Sequence, residues 1–258
     1  MTPFESLALA YFVLMPLAAA RTARPRGWVY ALGAIALVIV TRLAAPWPVQ
    51  AWMPHAYLVL GYWMPAAFTR QINTRFEAWL IDADRRLGSR ALVGGAWRGR
   101  PLFELAYLLC YPTIPAAFAV VFVAGDRADI TRFWIAVLLA GYACYGSLPW
   151  TAARPPRLIS APEPVFFARF NSHVLGRVSH SMNTFPSGHV AVTLAAALQV
   201  CVVSPGWGVA FLGIALAVAV AAVNGRYHYL VDVLVGAGVG VGAFVTAAVV
   251  PGSAPGRV

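Results

Sequence analysis

Two histidines and one aspartate stand near the ends of apolar segments, where they could do chemistry together. His228 and Asp232 are four residues apart, so on a helix they would share a face, and the carboxylate could accept a ring N–H of the imidazole. That contact would fix the tautomer of His228 and present its other ring nitrogen as a nucleophile or base. His189 begins another apolar segment, where it could act as a proton donor.

Residues that could hold an anion lie close to these groups. Ser187 and Gly188 precede the second histidine, and a helix that begins there would offer free N–H groups to a phosphate. Guanidinium groups match phosphate oxygens in a planar fork and keep their charge, and the candidates are Arg154, Arg157 and Arg226. Two histidines, one carboxylate, several arginines and an amide-rich turn suit phosphoryl transfer through a phosphohistidine intermediate.

The elements that must position these groups are membrane helices. Of the 258 residues, 60% are hydrophobic and only 11% are charged, whereas a soluble domain carries about 25% charged residues. One aqueous core cannot hide such an excess, and the composition also excludes disorder, a coiled coil and a disulfide scaffold. The net charge of +10 is not accompanied by the basic, aromatic-interleaved stripe of a nucleic-acid-binding domain, so lipid headgroups or phosphate substrates are the expected partners.

Eight apolar segments reach, or nearly reach, the roughly 20 residues that a bilayer-spanning helix needs. We predict an all-α polytopic membrane bundle of about eight transmembrane helices, with six or seven as alternatives. Residues 1–101 are expected to hold the N-terminal spans and an interfacial amphipathic segment at 69–101, and residues 102–250 the catalytic membrane core, all in a single integrated domain. The predicted spans are 4–20, 27–45, 50–68, 102–124, 132–150, 187–204, 207–224 and 230–250.

The order of these spans indicates that the polar groups can meet. From Arg154 the chain runs through a loop to His189, which starts a span leading away, and the following span brings the chain back to His228. Parity therefore places all three residues at the same membrane face.

The motifs at this face resemble those of the type 2 phosphatidic acid phosphatase superfamily. Residues 186–189 read Pro-Ser-Gly-His, and His228 is followed by Asp232 with three residues between, in a resemblance that covers residues 102–250. It implies that His228 is the nucleophile, that Asp232 orients it and that His189 protonates the leaving group. It also implies a lipid phosphate substrate, no metal and no other cofactor, with the phosphate held by Ser187, Gly188, Arg154, Arg157 and Arg226.

The first and third motifs depart from the superfamily pattern. The first motif begins with a lysine in the family, but this chain contains no lysine, and Arg157 is the candidate replacement. In the third motif only Tyr227 separates Arg226 from His228, where the family usually has five residues. Arg226 can then share a phosphate with His228 only if it lies in the loop before the helix begins. The compact spacing resembles the inositol phosphorylceramide synthase branch.

The motifs therefore leave three functions open. The first is a lipid phosphate phosphatase that forms a phosphohistidine without metal. The second is a lipid headgroup phosphotransferase, like inositol phosphorylceramide synthase. The third, from another class, is a transporter of an anionic lipid or solute, for which we would expect charged groups at mid-membrane and matching repeats rather than a cluster at one interface.

Two arguments place the cluster of histidines and arginines on opposite sides of the membrane. With eight spans, fifteen of the nineteen arginines fall on the catalytic face, which the positive-inside rule would place in the cytoplasm. Most members of the superfamily work on the extracytoplasmic side. We favour an integral protein of the plasma (inner) membrane with an extracytoplasmic site.

Overall fold

A computed structural model describes residues 1–20, 25–89, 100–159 and 182–250, and these ranges are helical over most of their length. The helices are α1 (Pro3–Ala18), α2 (Pro25–Ala44), α3 (Trp47–Trp52), α4 (Pro54–Phe68), α5 (Thr74–Arg86), α6 (Arg100–Leu108), α7 (Cys110–Ala124), α8 (Arg127–Gly146), α9 (Leu148–Thr151), α10 (Pro156–Ile159), α11 (Gly188–Val203), α12 (Pro205–Asn224) and α13 (Leu230–Ala248).

The predicted all-α membrane bundle is confirmed. Four helical segments in the described ranges are long and apolar enough to cross a bilayer, namely Pro25–Ala44, Arg127–Thr151, Pro205–Asn224 and Leu230–Ala248. Three shorter helices, α1, α7 and α11, are also apolar. Strand pairing in the same ranges is limited to one isolated antiparallel bridge between Ala153 and Asn183.

Two of the predicted spans are each divided into consecutive helices. The segment predicted as 50–68 consists of α3 and α4, because Pro54 has no N–H to donate and begins a new helix. The segment predicted as 102–124 consists of α6 and α7, which meet at Leu109. Pro112, in the first turn of α7, cannot donate to the carbonyl oxygen four residues earlier, so the ladder of hydrogen bonds is interrupted there.

Helix α8 lies at the centre of the described bundle and packs against α1, α4, α11 and α13. Its side chains Trp134 and Leu138 are fully buried. The ring of Tyr142 stacks on that of Tyr11 from α1, with the ring centroids 3.9 Å apart and the planes at 2°. The N-terminal helices therefore share one core with the helices that carry the histidine motifs.

Helix α5 is the amphipathic helix expected within residues 69–101, of which residues 90–99 lie outside the described ranges. Asn73 caps its first turn by accepting from the N–H of Phe76 (3.1 Å), and Asn73 N–H donates to the carbonyl oxygen of Ala152 (2.8 Å). Its apolar face places Leu80 against Ala153 and Tyr229, and the half-exposed Trp79 contacts the Phe185 ring edge to face, with the centroids 5.6 Å apart. This helix therefore docks at the end of the bundle where α13 begins.

Candidate active site

A buried imidazole–carboxylate pair lies where α12 ends and α13 begins. Nδ1 of His228 is 3.3 Å from Oδ2 of Asp232, and both side chains are buried, Asp232 completely. The same oxygen accepts from the N–H of Tyr229 (3.1 Å) and from Nδ2 of Asn183 (2.7 Å). Because all of these donors hold one carboxylate oxygen in place, the imidazole of His228 has a fixed orientation.

The two residues of this pair do not share a helix, which corrects the expectation from their spacing. Asp232 lies in the first turn of α13, but His228 precedes that helix and its backbone N–H donates to the carbonyl oxygen of Ala222 at the end of α12 (3.0 Å). The contact forms because the loop folds back over the start of α13. The Asp232 carboxylate thereby accepts a backbone N–H at the helix N-terminus as well as the imidazole.

His189 faces this pair from the first turn of α11. Its ring centroid is 5.8 Å from that of His228, with the planes at 58°. The hydroxyl of Tyr107 lies 3.2 Å from Nδ1 of His189, and the Tyr111 ring meets the imidazole edge to face at 5.9 Å. The structure therefore brings the two histidines together, as the order of the spans predicted.

The start of α11 is held tightly against its neighbours. The N–H of Ser187 donates to the carbonyl oxygen of Asp232 (3.1 Å), and the Ser187 hydroxyl is fully buried without a hydrogen-bond partner among the described residues. A Cβ on Gly236 would lie 2.6 Å from the carbonyl oxygen of Ser187, and a Cβ on Gly188 would lie 2.1 Å from the Tyr145 ring. These glycines allow the close approach that places a helix N-terminus, whose first N–H groups have no acceptor within the helix itself, beside the two histidines.

Arg226 lies in the loop between α12 and α13, which is the position that its spacing from His228 required. Its backbone is in the left-handed region (φ 57°), which is uncommon for a residue with a side chain. Its carbonyl oxygen accepts from the N–H of Arg157 (3.0 Å). The turn at Arg226 therefore joins the loop that carries His228 to the segment that carries Arg157.

Arg154, another of the predicted phosphate ligands, is bound to a carboxylate of α5. Its Nη2 and Nε donate to Oε1 (2.6 Å) and Oε2 (3.0 Å) of Glu77, and its backbone N–H also donates to Oε2 (2.8 Å). Hydrogen bonds from Arg154 hold the pKa of the Glu77 carboxyl below its ordinary value. The Arg154 side chain is half exposed, whereas Glu77 is buried. A phosphate that takes this guanidinium would have to share it with Glu77.

The Arg154 segment is also fixed from the side of His228. The hydroxyl of Tyr229 donates to the carbonyl oxygen of Arg154 (3.1 Å), and burial raises the pKa of this phenol, which keeps it protonated. The N–H of Asn183 donates to the carbonyl oxygen of Ala153 (2.7 Å). Segments from three parts of the sequence therefore meet at the His228–Asp232 pair.

Arg157 lies beside Tyr227. Its guanidinium lies over the Tyr227 ring, 4.5 Å from the centroid, in a cation–π contact. The same ring stacks on that of Tyr107, with the centroids 3.9 Å apart and the planes at 7°. Arg157 is thus ordered by an aromatic pair next to His228.

Four residues of this site were not predicted from the sequence. Asn183 contacts Asp232, and Tyr107 contacts His189. From α5, Glu77 binds Arg154, and Oδ1 of Asp84 accepts from the N–H of Leu230 (2.6 Å). A polar residue in a loop or on an interfacial helix carries no periodic signal of such partners. The amphipathic pattern of α5 was the one available indication that it docks on the bundle.

Within the described ranges, no three His, Cys, Asp or Glu side chains are grouped so that they could hold a metal ion. The three cysteines are free thiols, with Cys110 and Cys144 buried and Cys201 partly buried.

The fold and the site define a helical membrane protein with a histidine–aspartate pair, a second histidine and several arginines at one end of its bundle. Residues 130–253 match the family model of the PAP2 superfamily, which supports the resemblance of the motifs to the type 2 phosphatidic acid phosphatase superfamily. Members of this superfamily are phosphatases and phosphotransferases, which supports a phosphoryl-transfer enzyme. No curated protein and no solved structure gives a significant match to the chain.

The matched segment divides the residues of the site into two groups. All of the residues predicted from the motifs lie within residues 130–253. Glu77, Asp84 and Tyr107 lie before it, in α5 and α6. Helices outside the family segment therefore contribute contacts to the histidine motifs.

Proposed function

We propose that the chain is a lipid phosphate phosphatase that works through a phosphohistidine intermediate without a metal. The observation that carries this proposal is the row Asp232–His228–His189, with Oδ2 of Asp232 at 3.3 Å from Nδ1 of His228 and the two imidazole rings 5.8 Å apart. The carboxylate occupies one nitrogen of His228, so Nε2 is assigned the nucleophilic role. His189, the neighbouring imidazole, is assigned to protonate the leaving group.

The reaction has two steps. In the first, Nε2 of His228 forms a bond to phosphorus, the ester P–O bond breaks, and protonated His189 gives its proton to the leaving alkoxide oxygen. In the second, water attacks the phosphohistidine, His189 takes a proton from that water, and the N–P bond breaks to release phosphate. Ser187, Gly188, Arg154, Arg157 and Arg226 are assigned to the phosphate oxygens, whose negative charge the helix N-terminus and the guanidinium groups would stabilise.

A lipid headgroup phosphotransferase is the second candidate. It is favoured by the compact loop in which only Tyr227 separates Arg226 from His228. The first step is unchanged, but an alcohol of a second lipid replaces water in attacking the phosphohistidine. The two candidates therefore differ only in the acceptor of the phosphoryl group.

Purified protein incubated with a panel of lipid phosphates in EDTA tests both candidates. Free phosphate is expected from the phosphatase, and a new phosphorylated lipid, formed only with an added lipid alcohol, from the transferase. His228→Ala and His189→Ala should abolish turnover, while Asp82→Asn, at an exposed position of α5, should not. Full activity in either histidine variant would overturn the site assignment. Loss of activity in EDTA with recovery on added zinc would overturn the metal-free mechanism.

We also propose that the site faces the extracytoplasmic side of the plasma (inner) membrane and that residues 1–101 and 102–250 act as one domain. The stacked pair Tyr11–Tyr142 across these two parts supports the second point. The first is tested by labelling intact cells with an impermeant maleimide in a Cys201→Ala background. Asp82→Cys at the site end should be labelled, and Gly206→Cys in the turn at the opposite end should be protected; the reverse result would place the site in the cytoplasm.

A further inference from the structure

Tyr107 contacts the proposed proton donor from outside the segment that matches the family. Its hydroxyl oxygen lies 3.2 Å from Nδ1 of His189. It belongs to α6, which ends before residue 130, and its side chain is 3% exposed. At this distance the buried hydroxyl forms a directed hydrogen bond with one of the two nitrogens of the imidazole.

The phenol ring of Tyr107 is held in place by the loop that carries the proposed nucleophile. It stacks on the Tyr227 ring at 3.9 Å, and the guanidinium of Arg157 lies over Tyr227 at 4.5 Å. Tyr227 is the residue immediately before His228. The position of the Tyr107 hydroxyl is therefore set by the same loop that positions His228.

We infer that Tyr107 is a positioning residue for His189, binding Nδ1 and thereby directing Nε2 at the leaving oxygen of the phosphate ester. This inference rests on the proposed function. The imidazolium donates its Nδ1–H to the Tyr107 oxygen and its Nε2–H to the leaving alkoxide. When the Nε2 proton has moved, the ring is neutral with Nδ1 still protonated, and Nε2 can take a proton from water in the second step. The hydrogen bond to Tyr107 is thus retained through both proton transfers.

Leaving groups of different basicity separate this role from a purely structural one. The alkoxide of a lipid alcohol needs a proton as it departs, whereas nitrophenolate leaves from p-nitrophenyl phosphate without one. A misdirected His189 therefore slows phosphohistidine formation from the lipid phosphate but not from p-nitrophenyl phosphate, whereas the hydrolysis of the phosphohistidine is common to both substrates. The constant kcat/KM reports only the formation step, so a general loss of packing at the site would lower kcat/KM for both substrates.

The test compares Tyr107→Phe, which keeps the ring stack and removes one hydroxyl, with Tyr111→Phe. Tyr111 is a matched control because its ring, at 5.9 Å, makes an edge contact with the same imidazole. We expect Tyr107→Phe to lower kcat/KM for a lipid phosphate about tenfold or more, with kcat/KM for p-nitrophenyl phosphate close to wild type. Tyr111→Phe should leave kcat/KM for both substrates unaffected. Equal losses of kcat/KM on the two substrates in Tyr107→Phe, or no loss on either, would overturn the inference.

Nitrogen NMR of histidine-labelled protein tests the contact without any turnover. The Nδ1 resonance of His189, assigned by its absence in His189→Gln, should move in Tyr107→Phe and stay in place in Tyr111→Phe. An unchanged resonance in Tyr107→Phe would overturn the inference. If the wild-type protein hydrolyses neither substrate, the proposed function fails instead, and the resonance still decides whether Tyr107 binds Nδ1.

Discussion

Oδ2 of Asp232 lies 3.3 Å from Nδ1 of His228, although the two side chains are fixed by different helices. The backbone N–H of His228 is bound to the last turns of α12 through Ala222, and Asp232 belongs to the first turn of α13. Their contact therefore depends on how the end of α12 and the start of α13 pack together. Asn183 adds a third attachment, because it binds the same carboxylate oxygen and the backbone of Ala153.

Replacing Asp232 by asparagine should separate the effect of its charge from the effect of its shape. Asparagine has nearly the same volume, but it carries no negative charge to stabilise the positive charge that develops on His228. Its NH₂ group also replaces one of the two carboxylate oxygens and cannot accept a hydrogen bond there. We expect kcat to fall about 10²–10⁴-fold, with little change in KM because Asp232 reaches the substrate only through His228. Steady-state kinetics on a lipid phosphate measure both constants.

Asn183→Ala provides the comparison for this variant. It removes one hydrogen bond to Asp232 and leaves the carboxylate charge, so its loss in kcat should be clearly smaller. Near-wild-type kcat in Asp232→Asn would show that the carboxylate is not needed, and the pair would lose its proposed role.

The spans and the motif residues could be predicted from the sequence because their signals are local. Apolar length gives the membrane helices, and the parity of the spans between His189 and His228 brings the two histidines to one face. The break at Leu109 was not predicted, because hydropathy averaged over about 20 residues does not register a single interrupted turn.

The supporting contacts could not be predicted because they join residues far apart in the sequence. Glu77 and Arg154 are 77 positions apart, and Asp84 and Leu230 are 146 apart. Neither carboxylate differs from an ordinary solvated charge until α5 is docked on the bundle. The spacing of His228 and Asp232 predicted their contact, although the geometry assumed for it, a shared helix face, was wrong.

Gly188→Ala should damage the site even though alanine is the better helix former. In a helix interior alanine is favoured over glycine by about 1 kcal/mol. Here the added Cβ would lie 2.1 Å from the Tyr145 ring, so α11 or that ring has to move, and His189 moves with it. We expect lower activity and a lower thermal midpoint.

Gly213→Ala is the matched control for this substitution. Gly213 lies in α12, and a Cβ there would meet no atom of the described residues within 4 Å. Its activity should be unchanged and its free energy of unfolding equal or higher by up to about 1 kcal/mol. Equal behaviour of the two variants would contradict the close packing of α11 against Tyr145.

Asp84 should stabilise the start of α13 from another helix. Its carboxylate accepts from the N–H of Leu230 at 2.6 Å, as a capping residue does within one chain segment. Asp84→Ala should reduce the free energy of unfolding by about 0.5–2 kcal/mol, and Asp84→Asn, which keeps an oxygen acceptor, by less. Unfolding in mixed micelles, followed by circular dichroism, measures the difference.

An exposed carboxylate on the same helix serves as the control for Asp84. Asp82 pairs with Arg86 at the surface, where such pairs contribute little, so Asp82→Ala should match the wild type. If Asp84→Ala also matches it, α5 does not hold the N-terminus of α13.

Glu77 should make the stability of the protein depend on acidic pH. Hydrogen bonds from Arg154 hold the pKa of its carboxyl below the ordinary value of 4.5 in the folded state. The charged carboxylate therefore contributes stability at pH values above the unfolded-state pKa, and this contribution is lost as the pH falls through the lower folded-state pKa. Glu77→Gln should have a lower thermal midpoint than the wild type at pH 7, and this difference in midpoint should narrow on acidification.

Midpoints measured from about pH 7 to about pH 3 for the wild type, Glu77→Gln and the surface control Asp82→Asn test this. The control should follow the wild-type curve, and a gap for Glu77→Gln that stays constant over the whole range would contradict a charged Glu77–Arg154 pair.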